Sequence, residues 1–225
     1  LAPYAKEKYS REVIDKVYKK LLKVDGNLIV HDDRPKDMYK YLLESTRPYR
    51  FDNIAKGLQT WAEELVIELC QNLVKTLGTN KIVLGGGVSM NIKINQKLHE
   101  QDFIDDLYVP ASGGDETLAI GACYFKSKTR KALDDMYLGY EILDKDVLKL
   151  KDSNNYSVKE ISLKEVATLL TEGNIVGVVG GKAELGAGAL GNRSILADPR
   201  RRESVIKINE AIKGRDFWMP FAMSI

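Results

Sequence analysis

Residues Lys81–Asn91 read KIVLGGGVSMN, and this stretch restricts the fold more than any other. A short apolar, β-branched run delivers the chain, three glycines turn it, and the residues beyond can start a helix. Gly85, Gly86 and Gly87 allow backbone conformations closed to residues that carry a Cβ. Such a turn brings unpaired N–H groups and the positive end of a helix dipole against a phosphate. Taken alone, Gly-Gly-Gly fits a ligand-free strand-to-helix turn better than a phosphate loop, so support must come from elsewhere in the chain.

A second turn, Pro110-Ala111-Ser112-Gly113-Gly114, follows a predicted strand near Leu107–Val109, and Asp115 begins a small-residue helix through Ala119, Gly121 and Ala122. Strand, helix, strand and helix in this order imply an α/β layer with parallel pairing. Two turns about 28 residues apart in one such unit converge on one edge of the sheet. The first supplies amides and the second a carboxylate. Asp115 alone suits a helix N-cap. Beside a phosphate turn it reads better as a ligand to a divalent metal, which accepts carboxylate and imidazole. His31 and His99 have no HxxxH spacing and read as surface or structural residues, so imidazole ligands are expected from sequence outside this chain.

The rest of the pattern is mixed. Tyr9, Val13, Val17 and Leu21 predict a helix over about 4–24, and a polar link from His31 to Pro35 leads to an apolar segment at Met38–Leu43. The stripe Ile54, Leu58, Trp61, Leu65, Leu69, Leu73, Leu77 predicts the longest helix, over Asp52–Leu77, stopped by Gly78. Residues 145–157 are polar and weakly periodic, as in an inter-domain linker. Beyond them come a strand candidate at Val158–Ile161 and a Ser162/Glu165 capping box before helix Leu163–Glu172. A strand over Asn174–Val179 and a basic helix over about Arg202–Lys213 complete the pattern.

Composition bounds the function. A charged fraction of 29% and a net charge of +2 are those of a soluble protein with no global attraction to nucleic acid or acidic membrane. No apolar run approaches the ~18 residues needed to span a bilayer. Cys70 and Cys123 lie far apart in apolar helical patterns and predict two buried thiols in a reducing cytoplasm. The chain opens on Leu1-Ala2-Pro3 without Met and stops in mid-pattern, which suggests a piece of a longer protein.

The third constellation is Gly181–Pro199, GKAELGAGALGNRSILADP. It mixes glycine with Lys182, Glu184, Asn192, Arg193 and Asp198, and a structural network of Glu184, Arg193 and Asp198 is the plain alternative to a binding loop. Between Lys182 and Arg215 eight Lys/Arg face four acids, a local excess suited to a small anion, although Arg200–Arg202 read as a solvated face. Arg193 and Arg215 could clamp a carbonate, carbamoyl or phosphate group, because the guanidinium fork matches planar oxyanions.

At these blocks the chain resembles the O-carbamoyltransferases of nodulation-factor and antibiotic biosynthesis. The matching residues are Gly86-Gly87-Val88-Ser89-Met90-Asn91, Pro110 to Ala122, Gly181 to Leu196, and Ile212 to Ser224. Their order and spacing cover most of residues 50–225. The resemblance implies the second lobe of an actin/hexokinase-like (ASKHA) domain over 1–144, a linker at 145–157, and the start of a YrdC-like α/β domain over 158–225. It implies that the complete enzyme makes carbamoyl-adenylate from carbamoyl phosphate and ATP, then passes the carbamoyl group to an acceptor hydroxyl. Carried over residue by residue, Gly85, Gly86, Gly87 and Asn91 would bind ATP, and Asp115 would hold a divalent metal, iron or one like magnesium or manganese. Lys182, Glu184, Arg193 and Arg215 would line the adenylate-forming site.

Four positions depart from the family pattern: Ala187-Gly188 replaces Pro-Arg, Thr117 replaces Gly, and Met223 replaces Pro. An isolated chain of this length is expected to be inactive. The expected partners are the small-molecule substrates and a second copy in a homodimer, in the cytoplasm. A non-catalytic nucleotide-binding or partner module is one alternative, made plausible by the missing arginine at Gly188. An actin-like kinase of a small molecule is the other, and the Gly181–Leu196 block argues against it.

Overall fold

The computed structural model describes residues 2–128, 131–151, 155–186, 188–216, 219 and 221. The chain divides into two compact mixed α/β units, Leu1–Leu118 and Ala119–Ile225. Among the described residues no helix is long and apolar enough to cross a membrane.

The first unit is built on one long helix. Helix α1 (Glu7–Val13) runs on through a wider turn at Ile14–Tyr18. The chain then forms an antiparallel hairpin of β1 (Leu22–Asp25) and β2 (Leu28–His31), closed by Gly26-Asn27 with Gly26 at φ 59°. The predicted helix over 4–24 is therefore too long. Val13, Val17 and Leu21 are buried as its periodicity requires, but the alternation after Leu21 and the Asp25-Gly26 signal specify a hairpin. Helix α2 (Met38–Thr46) is capped by the Asp37 carboxylate, which accepts from the Lys40 N–H.

Helix α3 (Phe51–Leu77) ends as predicted at Gly78, left-handed at φ 66°, whose N–H donates to the Val74 carbonyl. It packs on α1 and on the hairpin. Val13, Ile14, Val17, Tyr18 and Leu21 form the buried cluster, against which Ile54, Trp61 and Tyr41 rest. Trp61 stacks on Tyr18 with ring centroids 5.5 Å apart. Beyond α3, β3 (Lys81–Val83) pairs in parallel with β4 (Asp106–Tyr108), and α4 (Ile92–His99) crosses between them with Ile94 and Leu98 buried. This is the predicted strand–helix–strand unit.

In the second unit, α5 (Leu118–Ser127) leaves Cys123 exposed, whereas Cys70 in α3 is buried. Two buried thiols are thus corrected to one: α5 is apolar enough to suggest burial but has no buried residue. Helix α6 (Asp144–Lys151) occupies part of the segment read as a linker, of which 152–154 lie outside the described residues. Residues 158–161 form no strand, having no partner for a ladder. Helix α7 (Leu163–Thr171) carries the predicted capping box. Strand β5 (Val176–Val179) pairs antiparallel with β6 (Arg193–Leu196), the latter hidden in sequence inside the glycine-rich block. Helix α8 (Arg202–Lys207) runs into a wider turn, Ile208–Lys213, stopped by left-handed Gly214.

Close approach of α1 to α3 depends on Gly57. A Cβ there would lie 3.1 Å from the Ser10 carbonyl and 3.2 Å from Val13 Cβ. Gly57→Leu should therefore force the helices apart and cost about 1–3 kcal/mol in urea unfolding, as overpacking typically does.

Candidate functional site

The two glycine turns of the first unit meet. The β3–β4 ladder runs on to the Leu84 N–H, which donates to the Tyr108 carbonyl at 3.0 Å, so both strands deliver their turns to the same edge. Gly86 has φ 86°, and Gly87–Met90 form a single 3-10 turn leading into α4. Buried Ser89 donates through Oγ to the Gly86 carbonyl at 2.7 Å and also through its N–H at 3.0 Å. Gly113 packs directly on this knot: a Cβ would lie 2.0 Å from Ser89 Oγ and 3.0 Å from the Gly86 carbonyl. Nothing lies within 4 Å of the Cβ positions of Gly85, Gly86 or Gly87, so their outer face is open.

Asn91 is engaged on two sides. Its Oδ1 caps α4, accepting from the N–H groups of Lys93 at 3.1 Å and Ile94 at 3.2 Å. Its Nδ2 donates to Gln59 Oε1 at 2.9 Å, and Gln59 Nε2 donates back at 3.2 Å. Asn91 thereby fastens the turn to α3. Asn95 Nδ2 donates to the Ser89 carbonyl at 2.7 Å, while Asn95 Oδ1 is buried with no protein partner.

Asp115 opens a 3-10 turn, Asp115–Thr117, with its carboxylate at the surface. The neighbouring Glu116 accepts from the Ser112 hydroxyl, which holds its carboxyl below the usual range. Among the described residues no group of three His, Cys, Asp or Glu could enclose a metal ion, so Asp115 offers one ligand and not a site.

The second unit holds the other four predicted residues in a loop knit by its own backbone. Residues 136–142 run along 181–185. The N–H of Gly139 donates to the Ala183 carbonyl, that of Ala183 to Tyr140, and that of Leu185 to Met136, all at 2.8–2.9 Å. Arg193 gives its guanidinium to carbonyls: Nη1 to Gly180 at 2.6 Å and Asn192 at 2.9 Å, Nη2 to Tyr140 at 3.1 Å and Gly181 at 3.3 Å. Glu184 Oε1 accepts from the N–H groups of Asn192, Arg193 and Leu190. Lys182 is exposed, and its carbonyl accepts from Asn192 Nδ2. Arg215 is oriented by fully buried Asn209, whose Oδ1 accepts from its Nε at 2.6 Å, and it lies 4.5 Å over the Phe221 ring.

Arg193 and Arg215 are thus held by separate partners. The Glu184–Arg193–Asp198 network divides: Glu184 meets the Arg193 backbone, while Asp198 pairs with Arg200 at 2.7 Å and lies 3.9 Å from Arg201. Arg201 also donates to the Thr171 carbonyl, yet the Arg200 and Arg201 side chains stay 74% and 47% exposed, in keeping with a solvated face. Gln59 and Tyr140 shape these loops without a signal in the sequence, because each acts through partners distant along the chain. Ala187, Phe217, Trp218, Pro220 and residues 222–225, including Met223, lie outside the described residues.

Two outcomes are expected. Gly113→Ala should cost about 1–3 kcal/mol by overpacking. Adding Ser89→Ala should restore part of that in a double-mutant cycle, because it removes the hydroxyl at 2.0 Å and leaves the Gly86 carbonyl at 3.0 Å. Second, the hydrogen bonds from Arg200 outweigh desolvation and lower the Asp198 pKa from 3.8 to about 2. A depressed carboxylate contributes stability above its unfolded pKa and loses it as pH falls through the folded one. Unfolding midpoints between pH 3.8 and about 2 should fall less steeply in Asp198→Asn than in the parent.

Comparison with known proteins places this geometry. Residues 7–124 match the carbamoyltransferase N-terminus and residues 167–225 the carbamoyltransferase C-terminus. An uncharacterised protein of Methanocaldococcus jannaschii is 32% identical over 188 residues, covering 77% of this chain and 31% of that protein. Nodulation protein NolO of Bradyrhizobium diazoefficiens is 30% identical over 240 residues, covering all of this chain and 43% of its own length. Nodulation protein NolNO of Sinorhizobium fredii is 27% identical, again over all of this chain and 35% of its own. The chain therefore spans less than half the length of these relatives. With both segments matched in order, one on each unit's loop, the chain belongs to the carbamoyltransferase family.

Proposed function

We propose that residues 1–144 form the second lobe of an actin-like domain, that 145–157 link it onward, and that 158–225 begin a YrdC-like domain. The complete protein then makes carbamoyl-adenylate from carbamoyl phosphate, ATP and one water: the water takes the phosphoryl group of carbamoyl phosphate away as inorganic phosphate, and the carbamate oxygen attacks the α-phosphorus of ATP and expels pyrophosphate. It passes the carbamoyl group to an acceptor hydroxyl, and AMP leaves. The observation that carries this reading is the order of the two matched carbamoyltransferase segments, each containing a glycine-rich loop.

Each loop has a part to play. The open outer face of Gly85–Gly87 admits a phosphate to backbone amides, and Asn91 keeps that face in place through α4 and Gln59. Lys182 and Arg215 offset charge that develops on the leaving phosphate, where a fixed cation is most effective. Glu184 and Arg193 line the same site through the loop they hold together. Asp115 would give one carboxylate to a divalent metal whose other ligands are not among the described residues. The complete enzyme then works in the cytoplasm, as a homodimer.

Incubation of the complete protein with carbamoyl phosphate and α-labelled ATP should yield labelled carbamoyl-adenylate, with pyrophosphate released only when carbamoyl phosphate is present. Lys182→Ala should slow this on the order of 10²-fold, the usual cost of removing one fixed charge-stabilising group. Nucleotide binding without turnover would replace this reading with a non-catalytic module. Phosphoryl transfer to a hydroxyl without carbamoyl phosphate would replace it with a kinase.

A further inference from the structure

Glu184 is held as a bound anion would be. A single oxygen, Oε1, accepts backbone N–H groups from Asn192 at 2.6 Å, Arg193 at 3.0 Å and Leu190 at 3.1 Å. These donors converge because Gly191 between them sits at φ 115°, where an L side chain is strained. Convergent amides of neighbouring residues form a concavity that takes anions without regard to whether carboxylate or phosphate supplies the oxygen. Burial pushes the Glu184 carboxyl up, but the N–H donors outweigh it and the net displacement is downward, so the group is anionic at neutral pH.

The concavity does not owe its shape to Glu184 alone. Arg193 ties it to the carbonyls of Gly180, Gly181 and Tyr140. Asn192 Nδ2 reaches the Lys182 carbonyl, the Gly180 N–H reaches the Asn192 carbonyl, and the Tyr137 hydroxyl reaches the Leu190 carbonyl. The occupant is only half-buried and is anchored two residues after exposed Lys182. A frame braced from outside around an occupant that is only half-buried is the arrangement of an exchangeable oxyanion site.

We propose that the amides of Leu190, Asn192 and Arg193 form a phosphoryl-binding subsite, which the Glu184 carboxylate occupies until a phosphoryl oxygen takes its place. The proposal rests on the reading above only for the origin of that group, an acyl phosphate or a nucleotide. Glu184 then acts as an internal competitor: it keeps the amides satisfied in the absence of ligand and sets the affinity a phosphate must exceed.

The test is titration of the isotopically labelled chain with inorganic phosphate, following the amide resonances of Leu190, Asn192 and Arg193. In Glu184→Ala these three should shift saturably and bind phosphate at least about tenfold more tightly than in the parent, the worth of one charge-assisted hydrogen bond. Acetate should return them toward their parental positions. Glu184→Gln, which keeps an acceptor without the charge, should fall between. Carbamoyl phosphate and ATP, titrated separately, identify the source by which one moves the three amides at lower concentration.

If Glu184→Ala leaves these amides unmoved by phosphate and acetate while β5 and β6 keep their native resonances, the proposal is wrong. If that variant loses the β5–β6 pairing, Glu184→Gln decides, and phosphate binding no tighter than the parent's overturns the subsite. Adenylate formation with a silent nest would sink the subsite alone. A responsive nest without adenylate would sink the functional reading alone.

Discussion

The first unit depends on a close approach that only glycine allows. Parallel pairing of β3 and β4 sends two turns to one edge, and Gly113 meets the Ser89–Gly86 knot with no room for a Cβ. Every feature of the candidate nucleotide surface follows from that contact. Ser89 is buried because Gly113 covers it, and its hydroxyl must then be satisfied, which the Gly86 carbonyl does. The bend at Gly86 turns the triple glycine outward, and Asn91 caps α4 from where the bend leaves the chain. Fold and site are the same few residues.

The second unit solves a similar problem by the opposite means. Its glycines also allow left-handed backbone, at Gly181, Gly186 and Gly191, but three of the loop's amides are taken by its own Glu184 carboxylate. Arg193 spends its donors on carbonyls and Glu184 its acceptor on amides, so two charged side chains do the work that a sheet ladder does elsewhere. Charge-assisted hydrogen bonds are stronger than neutral ones, which suits a segment too rich in glycine to hold its shape by packing. Residues 136–142 add strand-like pairing from outside both matched family segments.

Periodicity and glycine punctuation carry far in this chain. The long helix with its Gly78 stop and the Ser162/Glu165 capping box could be read because each is set by residues near one another, and the strand–helix–strand unit because a glycine turn follows each strand. What escaped was set at a distance. The β1–β2 hairpin hid behind a helical stripe that continues to Leu21, and β6 hid inside a glycine-rich block because its partner lies 14 residues upstream or more. Among site residues, sequence pointed to Glu184, Arg193 and Asn91 by type but not by role. Each carries chemistry-bearing atoms, yet whether those atoms meet backbone, neighbour or ligand is decided by the tertiary path of the chain.

That distinction bears on what a polar motif means. A carboxylate or guanidinium retained in a loop can contact substrate directly, or it can hold the backbone that does. Asn91 and Arg193 hold backbone, since their hydrogen bonds run to Gln59, to α4 and to four carbonyls. Arg215 combines both features, braced by buried Asn209 on one edge and lying over the Phe221 ring. Backbone amides make a better fixed anion site than flexible side chains, because they lose no rotamer freedom when the ligand arrives. Polar side chains that order backbone amides therefore suit an anion site, and the two loops of this chain are ordered by different routes, through Asn91 in the first and through Glu184 and Arg193 in the second.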